Sequence, residues 1–131
     1  MLRMLIADDH PIVRQKIRQL LLEGFPSASI EVASDTGSLI SLAVENEWDI
    51  IISDLIMPGG GGLHALKKIK EVKPASVIII VSIYPEEQYS ARVLREGAAA
   101  FLNKNNADSD LVLTITQLLG SSTTTTTTAS K

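Results

Sequence analysis

Apolar residues fall into short unbroken runs separated by longer stretches in which they recur every three or four positions, and the two patterns alternate as far as about Leu119. The runs predict strands over residues 4–7, 30–33, 50–53, 77–82 and 98–102. Leu5-Ile6-Ala7, Ile50-Ile51-Ile52 and Val77-Ile78-Ile79-Ile80-Val81 show no polar alternation, as expected of strands covered on both faces. Behind Pro11, which is tolerated in a first helical turn, Val13, Ile17, Leu20 and Leu21 form one stripe while Arg14, Gln15, Arg18 and Gln19 face away. Gly24 is expected to close that helix. Further stripes are Leu39, Leu42 and Ala43; Leu63, Leu66 and Ile69; Tyr89 and Val93; and Leu111, Ile115 and Leu118. The acids of Pro85-Glu86-Glu87 suit the positive end of the fourth helix. Strict alternation predicts an α/β domain, a doubly wound five-stranded parallel sheet with right-handed crossovers and helices on both faces.

After Gly120 the chain turns to Ser121-Ser122 and a threonine run from Thr123 to Thr128, which can bury no apolar face. A domain over residues 1–120 and a flexible tail or truncated linker over 121–131 are expected. With 131 residues, 45% hydrophobic and 21% charged, the composition is that of one ordinary domain. A core of this size needs no disulfide or structural metal. The absence of cysteine excludes zinc-thiolate sites and thiol nucleophiles. A net charge of −3 supplies no diffuse basic field, so no direct nucleic-acid binding by this segment is expected. The apolar runs are too short for a membrane. The first of them meets Asp8-Asp9 where a signal peptide would show small residues, so a cytoplasmic location is expected.

Ligands of open parallel sheets bind beyond the carboxyl ends of the strands, where strand order reverses. The first strand ends in Asp8-Asp9, the third in Asp54, the fourth in Ser82, and the fifth leads through Asn103 to Lys104. Each has a plain structural reading: Asp9 as a helix cap, Asp54 as a turn former, Ser82 as a cap, Lys104 as a solvated lysine. Together they carry a cost those readings leave unexplained, since two carboxylates about 4 Å apart repel by about 4 kcal/mol at an effective dielectric of about 20. Such a cluster takes up protons or binds a cation. Without thiols or a histidine cluster, a hard divalent cation such as Mg²⁺ fits, and it leaves room for a phosphate oxygen. No G-x-G-x-x-G or Walker pattern follows the first strand. The run Gly59-Gly60-Gly61-Gly62 lacks a following lysine and hydroxyl pair and reads as a mobile loop rather than a phosphate cradle.

Asp8-Asp9, Asp54 with Met57-Pro58-Gly59, Ser82, and Phe101 three residues before Lys104 resemble the receiver domain of bacterial two-component response regulators. Asp8-Asp9-His10-Pro11-Ile12-Val13-Arg14 and Gly97-Ala98-Ala99-Ala100-Phe101-Leu102-Asn103-Lys104 look most like the NarL/FixJ type, whose receivers usually precede a helix-turn-helix DNA-binding domain. The resemblance implies a flavodoxin-like fold with strand order 2-1-3-4-5. It implies Asp54 as phosphoacceptor, served by a sensor histidine kinase or a small donor such as acetyl phosphate. It also implies Mg²⁺ held by Asp9, Asp54 and the backbone carbonyl of Ile56, with Asp8 acting through a metal-bound water. Lys104 would pair with Asp54 and then with a phosphoryl oxygen, Ser82 would move to hydrogen-bond the phosphoryl group, and Phe101 would turn inward behind it. The output domain or partner would dock on the fourth helix, fifth strand and fifth helix, and a homodimer could form on phosphorylation.

Gly60 and Gly61 stand where the family commonly has a bulky residue and an Asp or Asn, which implies a looser loop, and Asn105 follows Lys104 where many receivers have proline. Ile56 and Tyr84, two residues beyond Asp54 and Ser82, are bulky neighbours of the phosphoryl position and point to slow hydrolysis of the acyl phosphate. His10, beside the acidic pair, could touch a metal-bound water but is read first as a solvent-facing helix-start residue, His64 as a partnerless residue of the third helix, and Trp48 as packing at the far end of the sheet. Two other functions compete with signalling. A Mg²⁺-dependent aspartyl-nucleophile phosphohydrolase would need a general acid and a substrate pocket, and a receiver-like interaction module would never be phosphorylated.

Overall fold

A computed structural model describes residues 2–83 and 86–127. The strands β1 (Arg3–Ala7), β2 (Ser29–Ala33), β3 (Ile50–Asp54), β4 (Ile78–Ser82) and β5 (Ala100–Asn103) alternate with helices α1 (Pro11–Gly24), α2 (Thr36–Glu45), α3 (Gly61–Val72), α4 (Glu86–Arg95) and α5 (Ala107–Thr127). All the strand pairs are parallel and the order is β2-β1-β3-β4-β5, as the resemblance implies. The winding direction therefore reverses between the carboxyl ends of β1 and β3.

The sheet separates two apolar layers. Leu5, Ile51, Ile78 and Ile80 point to one face and pack with Leu39 and Ala43 of α2, Leu66 and Ile69 of α3 and Val93 of α4. Met4, Ile6, Ile50, Ile52, Ile79 and Val81 point to the other and meet Ile17 and Leu21 of α1 and Leu111 and Ile115 of α5. Alternate side chains thus both find cover, which is why the central strands carry no polar alternation; each such residue contributes about 1.5–3 kcal/mol of burial. β2 lies at the edge, and there Glu31 and Val32 are exposed.

Boundaries differ from the predicted ones where backbone geometry intervenes. β5 starts two residues later than expected, because Gly97 at φ 111° and the Ala98 N–H, which donates to the Val93 carbonyl at 3.0 Å, still belong to the turn that ends α4. Gly24 lies inside α1, and Phe25 caps the helix instead. A Cβ on Gly24 would stand 2.7 Å from a Val112 methyl carbon, so the residue serves close packing of α1 on α5 rather than termination. Gly61 and Gly62 are buried and open α3 rather than a loop. α5 runs to Thr127, past Gly120, since a packed helix can propagate by one backbone bond per residue into poor helix formers. Trp48 packs as expected: its Nε1–H donates to the Leu42 carbonyl at 2.9 Å and the Arg3 guanidinium lies 4.6 Å over its ring. Among the described residues no helix is long and apolar enough to cross a membrane.

Candidate functional site

Register brings the strand-end residues together. Ala7 stands opposite Ser53, so Asp8 and Asp54 lie side by side where β1 and β3 end. Asp54 pairs with Val81, and Ser82 with Asn103, which sets Ser82 and Lys104 on the same edge. Asp8, Asp54 and Ser82 are all buried, and the Asp54 residue is 4% exposed. The Lys104 ammonium reaches between the carboxylates, 2.9 Å from Asp8 Oδ2 and 3.1 Å from Asp54 Oδ2. A single 3-10 turn, Lys104–Asn106, aims it there, with the Asn103 side chain accepting the Asn105 N–H at 2.8 Å.

The electrostatics are unbalanced. Burial pushes the Asp54 carboxyl above its ordinary value; the charge and hydrogen bond of Lys104 and the Ile56 N–H oppose this rise, and the Asp8 charge adds to it. Burial pulls Lys104 downward, but its hydrogen bonds and attraction to Asp8 and Asp54 outweigh that, and its value lies above the ordinary one. One ammonium faces three carboxylates, and Asp9 Oδ1 is a buried oxygen that accepts no hydrogen bond and meets only His10 Nδ1, at 3.2 Å. A buried oxygen without a hydrogen bond, in a negative cluster of hard donors, fits a divalent cation.

A cavity of about 260 Å³ opens over these groups, lined by His10, Val13, Asp54, Ile56, Ser82, Ile83 and Lys104. Ile56 and Ile83 are both exposed at its rim. Phe101 stands opposite Ile80 and is buried in the layer of α2, α3 and α4, already inward-facing. Tyr84, expected beside the phosphoryl position, lies outside the described residues.

The chain matches the family model of the response regulator receiver domain over residues 4–116. It belongs to that family. The receiver is 33% identical over 120 residues to the glycerol metabolism activator of Pseudomonas putida, covering 91% of this chain and 54% of that protein. It is 36% identical over 115 residues to the oxygen regulatory protein NreC of Staphylococcus haemolyticus, covering 87% and 53%. It therefore spans about half the length of the curated relatives it matches. A two-component response regulator of the LuxR family from Aurantimonas sp. SI85-9A1 has a similar structure, with a TM-score of 0.83, 31% identity, and coverage of 91% of this chain and 85% of that one. RcsB of Salmonella enterica serovar Typhimurium, bound to promoter rprA in the presence of the phosphomimetic BeF3-, gives a TM-score of 0.79 and 30% identity over 89% and 67% of the two chains.

Three features of the receiver's site escape the sequence. His10 does not simply face solvent: its Nδ1 turns into the cluster, 2.9 Å from Asp8 Oδ1 and 3.2 Å from Asp9 Oδ1. The only sequence signal was its place next to the acidic pair. Thr36 ties the glycine run, its N–H donating to the Pro58 carbonyl at 3.0 Å and its Oγ1 accepting the Gly61 N–H at 2.9 Å. At Gly62 a Cβ would stand 2.3 Å from the Asp54 carbonyl oxygen, so only glycine lets α3 begin so close to the end of β3. Neither spacing nor periodicity encodes such an approach.

Proposed function

We propose that this receiver accepts a phosphoryl group on Asp54 from the phosphohistidine of a sensor histidine kinase and thereby switches an output, through transcriptional control by a DNA-binding domain C-terminal to this segment. The observation that carries this reading is the Asp54 carboxylate itself: buried, destabilised as an anion, open to a cavity, and 3.1 Å from an ammonium. An Asp54 oxygen would attack phosphorus as the bond to the donor nitrogen breaks, the imidazole leaving with a solvent proton. Lys104 would offset charge on the phosphoryl oxygens, and Ser82, which lines the same cavity, would donate a hydrogen bond to one of them. Asp8, Asp9, Asp54 and the Ile56 carbonyl would hold Mg²⁺, which supplies positive charge against the phosphoryl oxygens.

The switch would lie in α4 and β5, between Ser82 at the cavity and Phe101 in the packed layer; two packings a few kcal/mol apart suffice for a new contact to shift their populations. A partner or a second receiver would dock on α4, β5 and α5, where Leu94 of α4 and Leu113 of α5 are each exposed. The exposed Ile56 at the cavity rim supports slow hydrolysis of the acyl phosphate through restricted water access, and a phosphoryl half-life of only seconds would overturn that point. The receiver unit would comprise residues 1–120 and work in the cytoplasm.

Intact-protein mass after incubation with acetyl phosphate tests the reading. One phosphoryl adduct that requires Mg²⁺ and is missing from Asp54→Asn is expected. No adduct with no phosphate released favours the interaction module; no adduct with phosphate released favours the hydrolase.

A further inference from the structure

The same cluster contains one donor of a different chemical kind. His10 caps α1 in an extended conformation at φ −102° and ψ 108°, as a residue before proline must. Its N–H donates to Asp8 Oδ1 at 2.8 Å and its carbonyl accepts the Arg14 N–H at 2.9 Å, so its backbone is held on both sides. From there Nδ1 lies 2.9 Å from Asp8 Oδ1, 3.2 Å from Asp9 Oδ1 and 4.0 Å from Asp54 Oδ2. Ligands about 2.1 Å from a common ion are separated by about 3.0 Å when adjacent and about 4.2 Å when opposite. The three distances fit one coordination sphere, with Asp8 and Asp9 beside the nitrogen and Asp54 across from it. Lys104 leaves Asp8 Oδ1 free, because it binds the other Asp8 oxygen, Oδ2, but it also lies 3.1 Å from Asp54 Oδ2, so a cation would share that Asp54 oxygen with the ammonium.

We propose that His10 Nδ1 is a direct ligand of the divalent cation held by Asp8, Asp9 and Asp54, and that it makes the site receptive to borderline cations such as Ni²⁺ as well as to Mg²⁺. The inference rests on the cation site of the proposed function. As the site stands, the acceptor-only carboxylate Oδ1 requires that Nδ1 carry the hydrogen of the 2.9 Å bond between them. On binding, the cation takes that hydrogen's place and the neutral imidazole carries its hydrogen on Nε2 instead. The imidazole side chain is 62% exposed, so water can receive that N–H. A nitrogen ligand strengthens binding of borderline cations far more than that of Mg²⁺, which prefers oxygen and retains water.

The test uses the full chain with Mn²⁺ and pulsed electron paramagnetic resonance. A directly bonded imidazole nitrogen modulates the electron spin echo, and replacing histidine ¹⁴N by ¹⁵N changes that modulation in the unmutated protein, which needs no variant to fold. Expected are nitrogen modulation that follows the isotope, its loss in His10→Asn and its persistence in His64→Asn. By calorimetry, His10→Asn should weaken Ni²⁺ binding by on the order of tenfold or more and leave Mg²⁺ binding within about twofold. Bound Mn²⁺ without histidine modulation, or modulation that survives His10→Asn, overturns the ligand role and leaves the phosphoacceptor reading standing. Failure of Mn²⁺ and Mg²⁺ alike to bind overturns both.

Discussion

The two ends of the sheet treat charge in opposite ways. At the amino end Arg3 lies over Trp48, 3.5 Å from Glu31, and its N–H donates to Asp49 at 2.8 Å. Lys73 meets the 91%-exposed Glu47 at 3.1 Å. These charges are paired and wetted, and each pair contributes only about 0–1 kcal/mol. At the carboxyl end Asp8 and Asp54 are buried with one ammonium between them, and a third carboxylate keeps an oxygen with no hydrogen bond. The lesson is that one sheet can hold a relaxed edge and a strained one, and that the strained edge is where binding of a cation or a phosphoryl group has something to relieve.

Removing the central cation should have the largest effect on stability. Lys104→Met leaves two buried carboxylates facing each other and should cost about 3–5 kcal/mol, read as a lower urea midpoint in metal-free buffer. Because the folded-state value of Lys104 is raised, its contribution is complete below pH 10.5 and should be lost as pH rises through the folded value. A parent chain with flat stability through that alkaline range would contradict the ion-pair account.

Gly62→Ala comes next, at about 1–3 kcal/mol, since the new methyl must displace the Asp54 carbonyl or the first turn of α3. Its phosphoryl uptake should also slow, whereas Gly37→Ala, where a Cβ meets Asp35 only at 3.7 Å, should leave uptake unaltered. Equal uptake by both variants would deny Gly62 any part in placing Asp54.

Asp54→Asn should raise the melting temperature in metal-free buffer. The folded-state value of Asp54 is raised, so folding binds its proton more tightly than unfolding does, and ionisation works against the fold as pH climbs above 3.8. The gain from Asn should therefore be present at neutral pH and shrink as pH falls toward 3.8. A neutral-pH loss of stability would show that attraction to Lys104 outweighs desolvation.

The smallest effect belongs to the amino end. Glu47→Ala should change stability by less than about 0.5 kcal/mol, and added salt should erase the difference. A larger change, measured by the same denaturant titration, would remove the contrast between the two ends.

The run of Ile50, Ile51 and Ile52 predicted a strand covered on both faces, and the spacing of Ile17 and Leu21 predicted a helix lying on one of them, because period and continuity of apolar residues directly encode how many sides of an element are buried. Asp8, Asp9, Asp54, Ser82 and Lys104 could be named for the same reason: a parallel α/β order places the carboxyl end of every strand on one edge. What the chain alone could not decide was set by distances between segments far apart in sequence. The turn of His10 Nδ1 into the acids depends on where β1 and β3 end relative to one another, the need for glycine at position 62 depends on how closely α3 approaches Asp54, and the tie from Thr36 to Gly61 joins residues 25 apart. Local patterns determine which elements form and which faces they bury; only the assembled fold, through the few tenths of an ångström that separate a contact from a clash, decides which polar atoms meet.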